Sequence, residues 1–369
     1  MPAVIYRGGR RIIVKNNTSA QGARVGWHLV AIGIAGLSAT PAMAQESDGG
    51  IVREARPSKS VEDVLREEHT LFDNRFSIEP SINYSYSDRS KLALRGFLAL
   101  DAIFLGELNL DGVETHITTF DLNMRYGFSN RLELGVTVPF VYRSTTYQSI
   151  GDDLSTERES EVNVDEAALG DISATLSYRL LPETSTRPDV VISAGVRAPT
   201  GKDPYGIGLR EDDNTNLIVP TELPTGNGVW AATTSISLLK TLDPAIVFGS
   251  LGYTYNFEES FDDISASSGD QPGDVDLGDS IQVGFGTAFA LNERLSLALS
   301  YSHEHIRKSE ISSNGSTRKV IDSDANVGVF NIGGTYALND STSIVTNLGI
   351  GLTDDASDIS LTFRMPFQL

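Results

Sequence analysis

A chain of 369 residues with no cysteine cannot be held together by disulfides, and a net charge of −20 leaves no basic surface on which nucleic acid would bind. Its mean hydropathy is −0.12 and it contains no apolar run long enough to cross a bilayer as a helix. A membrane is not excluded thereby, because barrel strands hide their hydrophobicity by alternating it.

Residues 1–44 read as a secretory signal peptide. Arg7, Arg10, Arg11, Lys15 and Arg24 make a basic region with no acidic residue. Residues 29–37 (LVAIGIAGL) form a short apolar core, and Ala42-Met43-Ala44 is a small-x-small cleavage site before Gln45. Loss of this leader makes the remaining chain still more acidic.

Residues 45–75 are expected to form a periplasmic segment. Positions 45–59 are polar and glycine-containing, a tether. Positions 60–74 predict a short helix, with Ser60 as N-cap and Asp63 three residues on. Val61, Val64, Leu65 and Phe72 fall near helical spacing, while Glu62, Asp63, Glu67 and Glu68 make the other face acidic. Such a helix either lies against a barrel rim or enters a lumen as a plug, and both placements stay open at this point.

From Phe76 onward the period is two. Phe120, Leu122, Met124, Tyr126 and Phe128 alternate with Asp121, Asn123, Arg125 and Gly127. Leu132, Leu134, Val136, Val138, Phe140 and Tyr142 follow a turn at 129–131. Equivalent runs begin near Ile172, Val190, Trp230, Val247, Ile281, Leu295, Phe330 and Ile344. The chain closes on Ile359, Leu361, Phe363, Met365, Phe367 and Leu369, separated by polar residues. A soluble protein seldom ends on such an edge, whereas a closed barrel pairs its last strand with its first.

Connections alternate in length. Short turns at 129–131, 241–244, 292–294 and 339–341 face long acidic loops at 149–167, 200–227, 258–278 and 309–323. Short periplasmic turns opposite longer extracellular loops are the outer-membrane pattern. With residues 76–100 taken as one strand the count is even. The expected fold is therefore all-β: a transmembrane antiparallel barrel of about twelve strands over 76–369, in the outer-membrane lipid. Tyrosine and phenylalanine gather at strand ends as interfacial girdles do. The opposite parity carries Asp121, Arg125, Glu133, Arg143, Arg179, Arg197 and Arg364, the expected pore lining of a wet lumen.

Signals of chemistry are weak. Residues 195–202 imitate a phosphate loop, but Asp203 stands where Ser or Thr is required and no helix pattern follows. His303 and His305 share a strand face without a third ligand, and the aspartates of 262–276 fit no calcium spacing. No metal, cofactor or catalytic residue is assigned, and a non-enzyme is expected.

The runs 192–204 (ISAGVRAPTGKDP) and 221–230 (TELPTGNGVW) make the chain resemble outer-membrane barrels of the meta-pathway phenol-degradation family. Segments 76–87 (FSIEPSINYSYS), 125–143 (RYGFSNRLELGVTVPFVYR), 243–251 (DPAIVFGSL), 290–294 (ALNER) and 351–358 (GLTDDASD) bring the likeness closest to the exporter of Fap-type functional amyloid. That resemblance implies a twelve-stranded homotrimer, gated by an N-terminal helical plug, that secretes unfolded amyloid subunits. The plug would map onto residues 60–74. An uptake channel for small hydrophobic or aromatic molecules is the alternative, and a structural or adhesive barrel a further one.

Overall fold

The computed structural model describes residues 76–89, 112–149, 160–212, 217–265, 269–339 and 341–368. The leader, the tether and the plug helix, with Glu62, Asp63, Leu65, Glu67, Glu68 and Phe72, lie outside these residues. So does the expected continuation of the first strand beyond Arg89.

Every element among the described residues is a strand. In chain order these are β1 (Phe76–Arg89), β2 (Gly112–Ser129), β3 (Leu132–Ser149), β4 (Ser160–Leu169), β5 (Ser173–Leu181), β6 (Asp189–Arg197), β7 (Leu209–Glu211), β8 (Ile218–Pro220), β9 (Ala231–Leu242) and β10 (Ala245–Asn256). They continue with β11 (Glu259–Phe261), β12 (Gly273–Asp276), β13 (Ser280–Ala290), β14 (Leu295–Ile306), β15 (Glu310–Ser313), β16 (Ser316–Lys319), β17 (Ala325–Asn339), β18 (Thr342–Gly351), β19 (Ile359–Arg364) and β20 (Phe367–Gln368).

Twelve of these strands make a closed wall, in the order β1-β2-β3-β5-β6-β9-β10-β13-β14-β17-β18-β19 and back to β1. Each pairing is antiparallel. The closing seam registers Ser81 with Arg364 and Tyr86 with Ile359, and β20 carries it on by pairing Ile78 with Phe367. The terminal alternation thus leaves no open edge, so every stave has a partner on both sides.

Turn chemistry fixes the register at the short end. The Asn292 carboxamide oxygen accepts from the Arg294 and Leu295 N–H groups at 2.8 and 2.9 Å, and that of Asn339 accepts from Ser341 at 2.8 Å. Each closes a tight reversal that returns the chain antiparallel.

One face of the wall is apolar and open to the surroundings. Phe285 is 58% exposed, Leu251 51%, Phe363 45% and Ile192 40%. An exposed apolar surface circling a protein in this way is unfavourable in water and favourable in hydrocarbon. The other parity is polar and faces the interior.

The long loops are not the solvated segments that their composition suggests. The stretch 149–167 was expected to be a loop, yet β3 runs to Ser149 and pairs with β4 from Ser149↔Ser160 to Phe140↔Leu169. The reason lies in its own period: Val162 and Val164 are buried, and Glu161, Asn163 and Asp165 alternate with them. The other three loops also carry strands, β7–β8 in one hairpin and β11-β12-β15-β16 in a four-stranded sheet. Together they form a structured crown with two apolar clusters. One contains Tyr205, Val229, Ile264, Val275, Leu277 and Ile311. The other joins Val113 and Tyr147 of the wall, and Val162 and Val164 of β4, to Ile207, Leu217, Val219 and Leu223 of the crown.

Candidate functional site: the lumen and its mouth

The inner wall is built by alternation: wherever an apolar residue faces out, its neighbour faces in. Within the barrel this creates a chamber of about 320 Å³ that reaches from Arg125 and Glu133 near a short turn to Ser173, registered with Arg197. Its wall is mostly hydroxyl, from Thr137, Ser173, Thr175, Ser177, Ser193, Ser235, Ser237 and Ser250, with Asn123 and Gln282. Ser177 and Ser193 are 2.9 Å apart, and the Thr137 hydroxyl donates to the Asn123 carboxamide oxygen at 2.7 Å. Arg125 and Glu133 supply its charge.

The remaining expected lining residues are distributed along the barrel. Arg364 meets Glu79 at 3.7 Å across the closing seam, beside Asn83, which donates to Thr362 at 2.7 Å. Asp121 accepts from the Ser81 hydroxyl at 3.4 Å on the neighbouring pair of staves. Arg179 pairs with Asp189 at 3.2 Å near the short turns. Arg197 stands at the opposite end, between Asn256 at 3.2 Å and Asp171 at 3.9 Å. Arg143 is fully buried, two positions along β3 from Thr145, so it belongs to the packed mouth and not to the open chamber.

At the mouth, two copies of the tripeptide Pro-Thr-Gly, at 199–201 and 224–226, close on one carboxylate. Asp171 accepts from the Gly201 N–H at 3.0 Å and the Asn227 N–H at 2.8 Å. The Thr225 hydroxyl donates to the Leu169 carbonyl and accepts from the Lys202 N–H, while the Thr200 hydroxyl donates to the Gly170 carbonyl. Only glycine suits the crossing. A Cβ on Gly201 would stand 2.7 Å from the Gly226 Cα, and one on Gly226 would collide with the Asp171 carboxylate.

Lys202 fastens the same loop a second time. Its ammonium contacts Glu222 of the loop at 2.5 Å and Glu166 of β4 at 3.1 Å. The hydrogen bond that Lys202 donates to Glu222 raises the lysine above its ordinary value, against partial burial, with Glu166 adding to the rise. Tyr205, just beyond, is pushed up by burial and then by Asp203, so its phenol stays protonated in the cluster where it packs on Phe261 at 4.1 Å.

Reading the sequence for charge missed Asp171, Glu166, Lys202, Glu222 and Glu79, together with the hydroxyl wall. The signals were present: a Pro-Thr-Gly repeat 25 residues apart, and small polar residues at one parity. The two histidines face outward instead of into the lumen. His303 stands 3.2 Å from the Tyr301 hydroxyl and His305 2.9 Å from Asn326. Among the described residues no cluster of three metal-ligating side chains occurs.

A closed barrel with an apolar outer belt, a polar interior and short turns opposite long loops is an integral outer-membrane β-barrel. Residues 112–367, well over half of the chain, match the family described as "Putative MetA-pathway of phenol degradation", and the protein belongs to that family. Among solved structures, the chain is similar to the translocator domain of the autotransporter NalP from Neisseria meningitidis, at 10% identity over 84% of this chain and 93% of that one, with a TM-score of 0.42. It is also similar to the toluene transporter TodX of Pseudomonas putida, at 10% identity over 80% and 88%, with a TM-score of 0.37. A FadL homologue of Pseudomonas aeruginosa matches at 8% identity over 80% and 90%, with a TM-score of 0.38.

Proposed function

We propose that the protein is a gated outer-membrane channel whose cargo passes in an extended, hydrophilic form, and that this cargo is an unfolded amyloid-type subunit leaving the cell. The observation that carries the reading is the chamber wall. Hydroxyls, carboxamides and a few charged groups offer hydrogen bonds to a polypeptide backbone without the apolar grip that would hold it. The exporter likeness of residues 76–369 supplies the cargo class, and a plug at residues 60–74 supplies the gate. Single-channel recording in planar bilayers tests both parts. A chain starting at residue 45 should give small, flickering currents, and one starting at residue 76 large, steady ones. Unfolded amyloid subunit added to the truncated channel should block it transiently. Equal currents from the two chains would sink the plug, and an absence of block would sink the cargo.

A second reading is uptake of small aromatic molecules. The family's link with phenol degradation and the apolar cluster of Tyr147, Val162, Val164 and Leu217 at the mouth favour it. It requires that a strain lacking the gene lose growth on an aromatic carbon source while its extracellular fibres persist.

A further inference from the structure

The outer wall over β10, β13, β14 and β17 changes character in rows, because residues registered across strands stand at one height. Phe285, Tyr301 and Phe330 share an aromatic row. Two residues further along each strand the row is Leu251, Val283 and His303, and the next is Tyr253, Ile281, His305 and Asn326. At about 3.3 Å per residue, the wall passes from apolar to polar within roughly 13 Å. Two residues beyond stand Tyr255, Asp279, Arg307 and Asp324, the first charged level above the lipid.

The crown sheet overhangs this level with Asp276, Glu310 and Lys319, which are registered with one another on β12, β15 and β16. Between the two levels lies a cleft of about 480 Å³. Three cations line it, Arg307, Lys308 and Lys319, together with four carboxylates, Asp276, Asp279, Glu310 and Asp324. Lys308 meets Asp324 at 3.3 Å and Lys319 meets Glu310 at 3.5 Å, both at solvent-exposed positions where such pairs exchange easily. The Asp279 carboxylate is already engaged, accepting from the Tyr253 hydroxyl at 2.5 Å and the Asn256 N–H at 3.3 Å. Among the described residues no carboxylate stands within ion-pair distance of the Arg307 guanidinium.

We propose that this cleft holds the phosphorylated sugar headgroup of an outer-leaflet glycolipid. Its phosphate would lie on Arg307, Lys308 and Lys319, its sugar hydroxyls on Asp276 and Glu310, and its acyl chains along the wall over Ile281, Val283 and Phe285. The guanidinium offers a planar fork of donors that matches phosphate, and carboxylates accept hydroxyl protons. A soluble sugar phosphate would use the same polar groups. The apolar column of Ile281, Val283 and Phe285, which descends β13 from beside the cleft into the belt, selects the lipid, since only an acylated ligand covers it.

Native mass spectrometry of the full chain in detergent tests this with three probes: bisphosphorylated lipid A, fully dephosphorylated lipid A and glucosamine 1-phosphate. Bisphosphorylated lipid A should stay bound to the wild type. Arg307→Ala combined with Lys319→Ala should weaken retention about tenfold or more, Arg307→Lys much less, and Arg294→Ala at the opposite rim not at all. A difference in gel mobility between unheated and heated samples shows that each variant is folded. Equal retention by the double variant, or of the dephosphorylated lipid, would overturn the phosphate site. Glucosamine 1-phosphate binding as tightly as the lipid would overturn the assignment to a lipid.

Discussion

Gly201 and Gly226 cross backbone to backbone over the carboxylate of Asp171, close enough that neither position has room for a Cβ. The crossing ties both ends of the loop that carries β7 and β8 to the break between β4 and β5. A segment of the mouth is therefore held at its two ends by one buried side chain, and the packing of Leu217, Val219 and Leu223 against the wall depends on it.

Replacing Asp171 by Ala leaves two part-buried N–H groups without their acceptor, each at a cost of about 1 kcal/mol. The loop, not the barrel, should be what gives way. Limited trypsin digestion of the folded variant should cut at Arg210, which is 46% exposed on its side chain, while the wild type is cut there much more slowly. Gly226→Ala should behave alike, since its new methyl displaces the same carboxylate. Unchanged digestion in both would remove the clasp from the account.

Lys202 gives the loop a dependence on pH. Its folded value lies above the ordinary 10.5, chiefly through Glu222, so the contribution is complete below that pH and disappears as pH rises through the raised value. Wild-type channels should gain conductance or trypsin sensitivity only in strong alkali. Lys202→Met should show the same gain at neutral pH and lose the alkaline transition. A Lys202→Met channel that still opens in alkali would place the titrating group elsewhere.

Ile192 and Ser193 are neighbours on β6 with opposite surroundings, the first on the outer belt and the second on the chamber wall. Ile192→Arg should destabilise the barrel by about 2–4 kcal/mol, the cost of a charge near the bilayer midplane. Ser193→Arg should fold normally and reduce conductance while shifting selectivity toward anions. Denaturant unfolding in lipid vesicles separates the two, and equal losses of stability would contradict the assigned faces.

Glu79 and Arg364 join the first stave to the last, with side chains 9% and 11% exposed. Glu79→Ala should remove this ion pair, a loss of roughly 1–3 kcal/mol, and so lower the temperature at which the barrel loses its unheated gel mobility. Glu79→Asp, one methylene shorter, should fall between. An unchanged transition would mean that the backbone ladder alone holds the seam.

The barrel was legible because alternation is a local property. Phe120 to Phe128 and Ile359 to Phe367 declare two faces without reference to any other part of the chain, and strict parity then places Asp121, Arg125 and Arg364 on the polar side. The crown was not legible. Its strands are three or four residues long, too short for a periodic signal, and apart from the run 217–219 its apolar residues are scattered among polar ones. Val162 and Val164 could have been read, because their alternation with Glu161, Asn163 and Asp165 extends the stave; the acidic composition masked it.

What the sequence by itself determined is the wall: its period and its two solvents follow from side-chain parity in neighbouring residues, and its even count and closure from the alternation of short and long connections and the terminal strand. What only the tertiary structure decided is which distant residues meet. That Asp171 receives Gly201 and Asn227, that Lys202 spans Glu166 and Glu222, and that Arg307 and Lys319 face one cleft depends on shear and loop closure. Those are properties of the closed barrel as a whole, and no window of adjacent residues encodes them.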